Sequence, residues 1–154
     1  MLEEMSYKER VEALLKYMSS SERVSKRMNG SLGLSVLGVS EDTLSTDFGY
    51  EAKECHLNPY DGVHGGVACT LLDTCGGTCV LADACKLPTT TDLSTSFIRP
   101  MSGHSFRIHI EFQLRGHHLY GVTGSIYDME TGRLCVSSMM KYMLTDMPVN
   151  LVTD

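Results

Sequence analysis

The sequence predicts an α+β domain in which an antiparallel six-stranded curved sheet wraps around one long central α-helix, with an extra helix at the N-terminus. Three observations lead there. Period-two alternation recurs on both sides of a single helical stretch; the four later strands follow one another with only short turns between them; and the helical stretch is apolar on nearly every side, so it has to be enclosed.

Taken in order, Tyr7 to Met18 places Val11, Leu14, Leu15 and Met18 at helical spacing between Lys and Glu, and so predicts an amphipathic helix. A second short helical piece is expected over Glu22 to Met28, ended by Asn29-Gly30. Strands are expected over Leu32 to Val39 and Thr43 to Glu54, joined at Ser40-Glu41-Asp42. His56 to Val63 then forms a loop marked by Asn58-Pro59 and Asp61-Gly62. The apolar helix begins near His64 and must stop before Pro88. Beyond it lie four strands: Thr89 to Ile98, the alternating run Phe106, Ile108, Ile110, Phe112, Leu114, then Leu119 to Asp128, and Leu134 to Leu144.

A chain of 154 residues with 42% hydrophobic content can build one core, so a single domain over 1–154 is expected, with 1–30 as its helical extension. Thirteen Lys and Arg against nineteen Asp and Glu leave a net charge of −6, and no basic surplus to neutralise a phosphate backbone. Nucleic acid is therefore not an expected partner. The acidic opening MLEEMSYKER lacks the pattern of a secretory signal, so a cytoplasmic location is expected. His64 to Ala82 is long enough to span a bilayer, but its four Gly, three Thr and one Asp fit a buried helix better than a membrane one. The six cysteines include no C-x-x-C pair and are expected as small core residues. His104, His109, His117 and His118 come without a placed carboxylate, so no metal site is expected.

Within VACTLLDTCGGTCVLA, Asp73 is the sole charged side chain. Burying an unpaired carboxylate costs several kcal/mol, and such groups gather at active sites. The structural alternatives are a local partner such as Thr70 or an exposed stripe. The helix opens on His64-Gly65-Gly66, where first-turn N–H groups at the positive end of the dipole make a pocket for a carbonyl or an anion, although such a pair also serves plain packing. Gly76-Gly77, inside the helix, is costly in propensity and expected to admit a close neighbour. From Gly65 to Asp73 is eight residues, a rise of ~12 Å, whereas reacting groups meet within ~3.5 Å. A two-fold homodimer, in which Gly65 of one chain faces Asp73 of the other, solves that geometry.

The run HLNPYDGVHGGVACTLLDT, followed by TTTDLSTSFIRPM, resembles the PaaI-like acyl-CoA thioesterases of the hotdog-fold superfamily, over roughly residues 32–144. The resemblance implies the hotdog fold, dimers that pair into tetramers, a small or medium acyl- or aryl-acyl-CoA as substrate and no cofactor. It assigns the carbonyl-polarising amide to Gly65, with Asn58 helping to hold the thioester and Gly66 beside it. Asp73 of the partner chain becomes general base or nucleophile, His64 shapes the helix start, and Thr90, or Thr91, positions the water. For the coenzyme A phosphates, Arg99 is the candidate among the scattered cations. Two other readings remain open: a non-catalytic module binding an acyl or aromatic ligand, and a hydratase or dehydratase using His56 and Asp61.

Overall fold

A computed structural model describes residues 2–147 and 149. The chain runs α1 (Tyr7–Ser20), α2 (Met28–Ser31), β1 (Ser35–Val39), β2 (Thr46–Glu51), α3 (Gly65–Ala84), β3 (Pro88–Phe97), β4 (Ser105–Arg115), β5 (Leu119–Asp128) and β6 (Leu134–Leu144). All six strands form one antiparallel sheet in the order β1-β2-β4-β5-β6-β3. Because the link after α3 crosses to the far side, β3 and β1 are the two edges.

Local signals start and stop these elements. Ser6 caps α1 in a reciprocal box: its hydroxyl accepts from the Glu9 N–H, and the Glu9 carboxylate accepts from the Ser6 N–H at 2.7 Å. The buried face of α1 is Tyr7, Val11, Leu14 and Leu15. Arg10 fastens the helix to α3 by donating to the Ala82 carbonyl at 3.0 Å. α3 ends at Cys85, a left-handed cap at φ 52° whose N–H donates to the Leu81 carbonyl.

The sheet curves over α3 through a cross-strand row of inward side chains, Phe48, Ile108, Ile126 and Val136, aligned by the registers and at most 1% exposed. Against them α3 buries Ala68, Leu71, Leu72, Cys75, Cys79 and Val80. By length and composition α3 could cross a membrane, but more than half of its apolar window is buried within the fold. Gly76 and Gly77 behave differently from one another. A Cβ on Gly76 would collide with the Tyr142 hydroxyl of β6, while one on Gly77 would sit 3.6 Å from the Tyr142 ring, an ordinary contact.

Several boundaries depart from the sequence expectation. Residues 22–27 run as turns, and α2 starts only at Met28, taking in the Asn29-Gly30 pair expected to end a helix. Val24 is the lone apolar residue there before Met28, so there is no stripe to bury. β1 and β2 start later than residues 32 and 43 because Gly33 at φ 69° and Leu44 at φ 54° cannot lie in a strand, and β2 stops at Glu51, short of residue 54, where Glu54–His56 winds into a 3-10 turn. Of the cysteines, Cys75, Cys79 and Cys135 are buried, but Cys55 is exposed and Cys69 and Cys85 are half-buried.

On the outer face of the sheet, His109 lies between two carboxylates, with Nδ1 2.8 Å from Asp47 and Nε2 2.9 Å from Glu111. Arg107 shares Asp47 at 2.7 Å and lies over the Tyr127 ring. Burial opposes charge on the imidazole, but Glu111 and Asp47 together override it and raise its pKa above 6.5. The cluster's stabilisation is therefore full below the ordinary histidine value and fades as pH climbs through the raised one. Unfolding free energy measured from pH 5.5 to 8.5 should fall with pH more steeply for the native chain than for His109→Gln; parallel curves would refute the assignment. Gly76→Ala should cost about 1–3 kcal/mol of stability by overpacking. Gly77→Ala should cost nothing and add up to about 1 kcal/mol of helix propensity. Urea denaturation of the two variants side by side checks the contrast.

Candidate active site

The site is built from the two ends of a short interval on α3. At the N-terminus His64, with φ −60° and ψ 136°, is the cap: its Nδ1 accepts from the Gly66 N–H at 2.9 Å. An accepting Nδ1 requires the neutral Nε2–H tautomer. The His64 carbonyl takes the Val67 and Ala68 amides at 2.9 and 3.1 Å, and its own N–H donates to the His56 carbonyl. Of the first-turn amides, Gly65 alone has no acceptor among the described residues. Gly66, expected beside it as a substrate donor, has its N–H committed to His64.

The preceding loop is held by Asn58, whose Oδ1 accepts from the Tyr60 and Gly62 amides at 2.9 and 3.2 Å, leaving its Nδ2 hydrogens outside that loop network. Asn58 and Gly65 line a cavity of about 320 Å³ together with Phe97, Arg99, Met101 and Val136. Phe97 is 58% exposed and packs over Gly65. Arg99 donates one guanidinium N–H to the Leu134 carbonyl at 2.8 Å.

The second half centres on Asp73, whose Oδ1 accepts from the Thr90 hydroxyl at 2.6 Å. Thr91 points elsewhere, its hydroxyl donating to the Lys141 carbonyl. Thr70, the local partner considered for Asp73, bonds the Gly66 carbonyl instead. Asp73 is half-buried rather than fully enclosed, a correction to the picture of a carboxylate sealed in an oily helix. The cause is positional: Asp73, Gly77 and Leu81 form one stripe of α3 that the sheet does not cover, and this stripe lines a second cavity of about 420 Å³. No motif or periodicity in the chain points to Tyr142 at this site. Its hydroxyl donates to the Asp73 carbonyl at 3.1 Å, and burial, reinforced by the Asp73 charge, raises its pKa and keeps it a donor. The glycine pair at 76 and 77 was the available signal that some large side chain would come close.

Among the described residues none lines both cavities, so one chain presents the amide and the acid in separate hollows. His56 and Asp61 line neither. His56 is stacked on Tyr50 with its Nδ1 2.6 Å from the Tyr50 hydroxyl, and burial, with Lys53 adding, lowers its pKa. Among the described residues no group of three or more His, Cys, Asp or Glu is placed to hold a metal ion.

Residues 60–135 match the thioesterase superfamily. The matched segment contains Gly65, Asp73, Thr90 and Arg99, while Asn58 lies just before it. A curated protein of Halobacterium salinarum, provisionally named an esterase, is 39% identical over 80 residues, 47% of this chain and 51% of that protein. The chain therefore spans about half the length of the curated relative it matches. A crystal structure from Ralstonia eutropha, of a protein provisionally named a thioesterase and described as phenylacetic acid degradation-related, superposes with a TM-score of 0.74 at 24% identity, covering 88% of this chain and 99% of that one. A hypothetical thioesterase protein with coenzyme A from Streptococcus pneumoniae superposes with a TM-score of 0.66 at 18% identity, over 76% of this chain and 89% of its own. These likenesses bear out the expected hotdog architecture.

Replacing His64 by Ala removes the cap and should lower stability by about 0.5–2 kcal/mol, read as a lower thermal midpoint. An unchanged midpoint would mean the Nδ1 contact to Gly66 contributes nothing.

Proposed function

We propose that this chain is a hotdog acyl-CoA thioesterase of the PaaI-like kind, acting as a cytoplasmic homodimer, paired into a tetramer, with two composite sites. The observation that carries the reading is the uncommitted Gly65 amide at the dipole end of α3, on the same rigid helix as the Thr90-bonded carboxylate of Asp73. The superfamily match over both positions and the coenzyme A bound to a structural relative support it. So does the relative described as phenylacetic acid degradation-related.

The eight-residue interval keeps amide and acid ~12 Å apart in one chain, and a two-fold axis brings Gly65 of one protomer to Asp73 of the other. The edge position and exposed residues of β3 suit pairing with a second copy beside that axis.

At such a site the thioester oxygen accepts the Gly65 N–H, which strengthens as negative charge gathers there. The Asn58 side-chain N–H and the Gly66 backbone flank the carbonyl. Asp73 accepts a proton as its water attacks the carbonyl carbon, and Thr90 orients carboxylate and water. The tetrahedral intermediate then expels the thiolate, which takes the proton from Asp73, so the C–S bond breaks and a carboxylic acid and free coenzyme A leave. A direct attack by the carboxylate, followed by hydrolysis of the anhydride, uses the same groups. Arg99 meets a phosphate of coenzyme A with its remaining guanidinium N–H groups.

Asp73→Asn should lower turnover at least ~10²-fold. Gly65→Pro removes the N–H while suiting the first position of a helix, and His64 already has the extended ψ that proline requires of its predecessor. It should cost ~10²–10³-fold. Co-expressing the two variants assembles one intact site in each mixed dimer, and random pairing should restore about a quarter of native activity. Thiol release from an acyl-CoA panel reads all three. Two inactive variants that stay inactive together would sink the shared site.

A further inference from the structure

We propose that the 420 Å³ cavity beside Asp73 is the acyl chamber, that it takes a medium-length aliphatic acyl group, and that Met18 of α1 and Gly77 of α3 set its depth. This rests on the thioesterase reading and gives it a substrate class. The volume lies within the ~300–1,000 Å³ of small-molecule sites, and an acetyl group would leave most of it unfilled.

The lining is mixed. Asp73 and Thr90 contribute a carboxylate and a hydroxyl that bond each other, Leu14, Met18, Leu81 and Leu87 contribute aliphatic surface, and the Thr74 and Thr78 side chains and the Tyr142 ring lie among them. A chain leaving a carbonyl held near Asp73 has to run along the uncovered stripe of α3, where the next residue is Gly77. A Cβ there would meet just the Tyr142 ring, at 3.6 Å, so the missing side chain is open floor rather than a packing necessity like Gly76.

The opposite wall comes from the N-terminal extension. α1 contributes Leu14, Tyr17 and Met18, the following turn adds Val24, and α2 brings Asn29, whose Oδ1 lies 3.5 Å from the Thr74 hydroxyl. The thioesterase-superfamily match begins at residue 60, so this wall is supplied by a part of the chain outside the matched segment. Half-buried Met18, with its flexible thioether, is suited to line an acyl group of variable length.

The test uses the full chain with straight-chain carboxylates from acetate to dodecanoate, titrated by calorimetry, and with the same acyl series as coenzyme A thioesters. Affinity of the native chain should rise about fourfold per methylene, equivalent to about 0.8 kcal/mol, until the cavity is full. Gly77→Val should shorten that ceiling, with a loss of affinity that grows with chain length and is smallest for acetate, and Gly77→Ala is the milder replacement should the larger one unfold the helix. Met18→Ala should lengthen it. The kcat/KM profile across the thioesters should move in the same directions. An identical length dependence in native and variant proteins, a preference for acetyl, or tighter binding of phenylacetate than of every straight-chain acid would overturn the proposal. Length-limited binding that shifts with the variants, without hydrolysis of any thioester, would keep the chamber and remove the thioesterase. Hydrolysis indifferent to the variants would do the reverse.

Discussion

The burial of α3 inside the curved sheet is the constraint on which the other features depend. A helix with Leu71, Leu72, Cys75, Cys79 and Val80 packed against the sheet has no freedom to slide or roll, because each side chain occupies a fitted gap. That rigidity is what makes an amide at residue 65 and a carboxylate at residue 73 usable as fixed points. It also explains why the one uncovered stripe of the helix matters: where the sheet stops covering α3, cavity space appears, and Asp73 stands at that margin.

The helix N-terminus illustrates how a site can be made by elimination. Its dipole and free N–H groups are generic to any helix. Here the His64 ring and carbonyl take up the amides of Gly66, Val67 and Ala68, and a single donor remains at Gly65. Asn58 does comparable work one loop earlier, spending its carbonyl oxygen on Tyr60 and Gly62 so that the loop holds its shape. Positioning residues and chemically active groups are thus neighbours in sequence but have separate duties.

Much of this could be seen in the chain before its structure. Alternation in β4 and β6 and the unbroken apolarity of α3 are strong periodic signals, and the lone Asp73 and the His-Gly-Gly start stood out against them. Other features were hidden for identifiable reasons. The turns at 22–27 carry residues of good helix propensity, yet no apolar stripe anchors them. The starts of β1 and β2 follow the backbone angles at Gly33 and Leu44, which side-chain pattern does not encode for leucine. Tyr142 is 69 residues from Asp73 in sequence, and its approach depends on strand register, visible only once β6 is paired with β3. Hydropathy overstates the enclosure of Asp73, because it says which residues avoid water and not where a sheet runs out.

Setting a donor and an acid on one continuous helical rod also limits how such a protein can change through evolution. Adding or removing a single residue between positions 65 and 73 would swing the carboxylate by about 100° around the axis, into the packed interior or away from its threonine. Loops elsewhere tolerate insertions, but in this stretch the spacing is locked by helical pitch. New specificities therefore have to come from exchanging side chains along the rod or reshaping what leans against it.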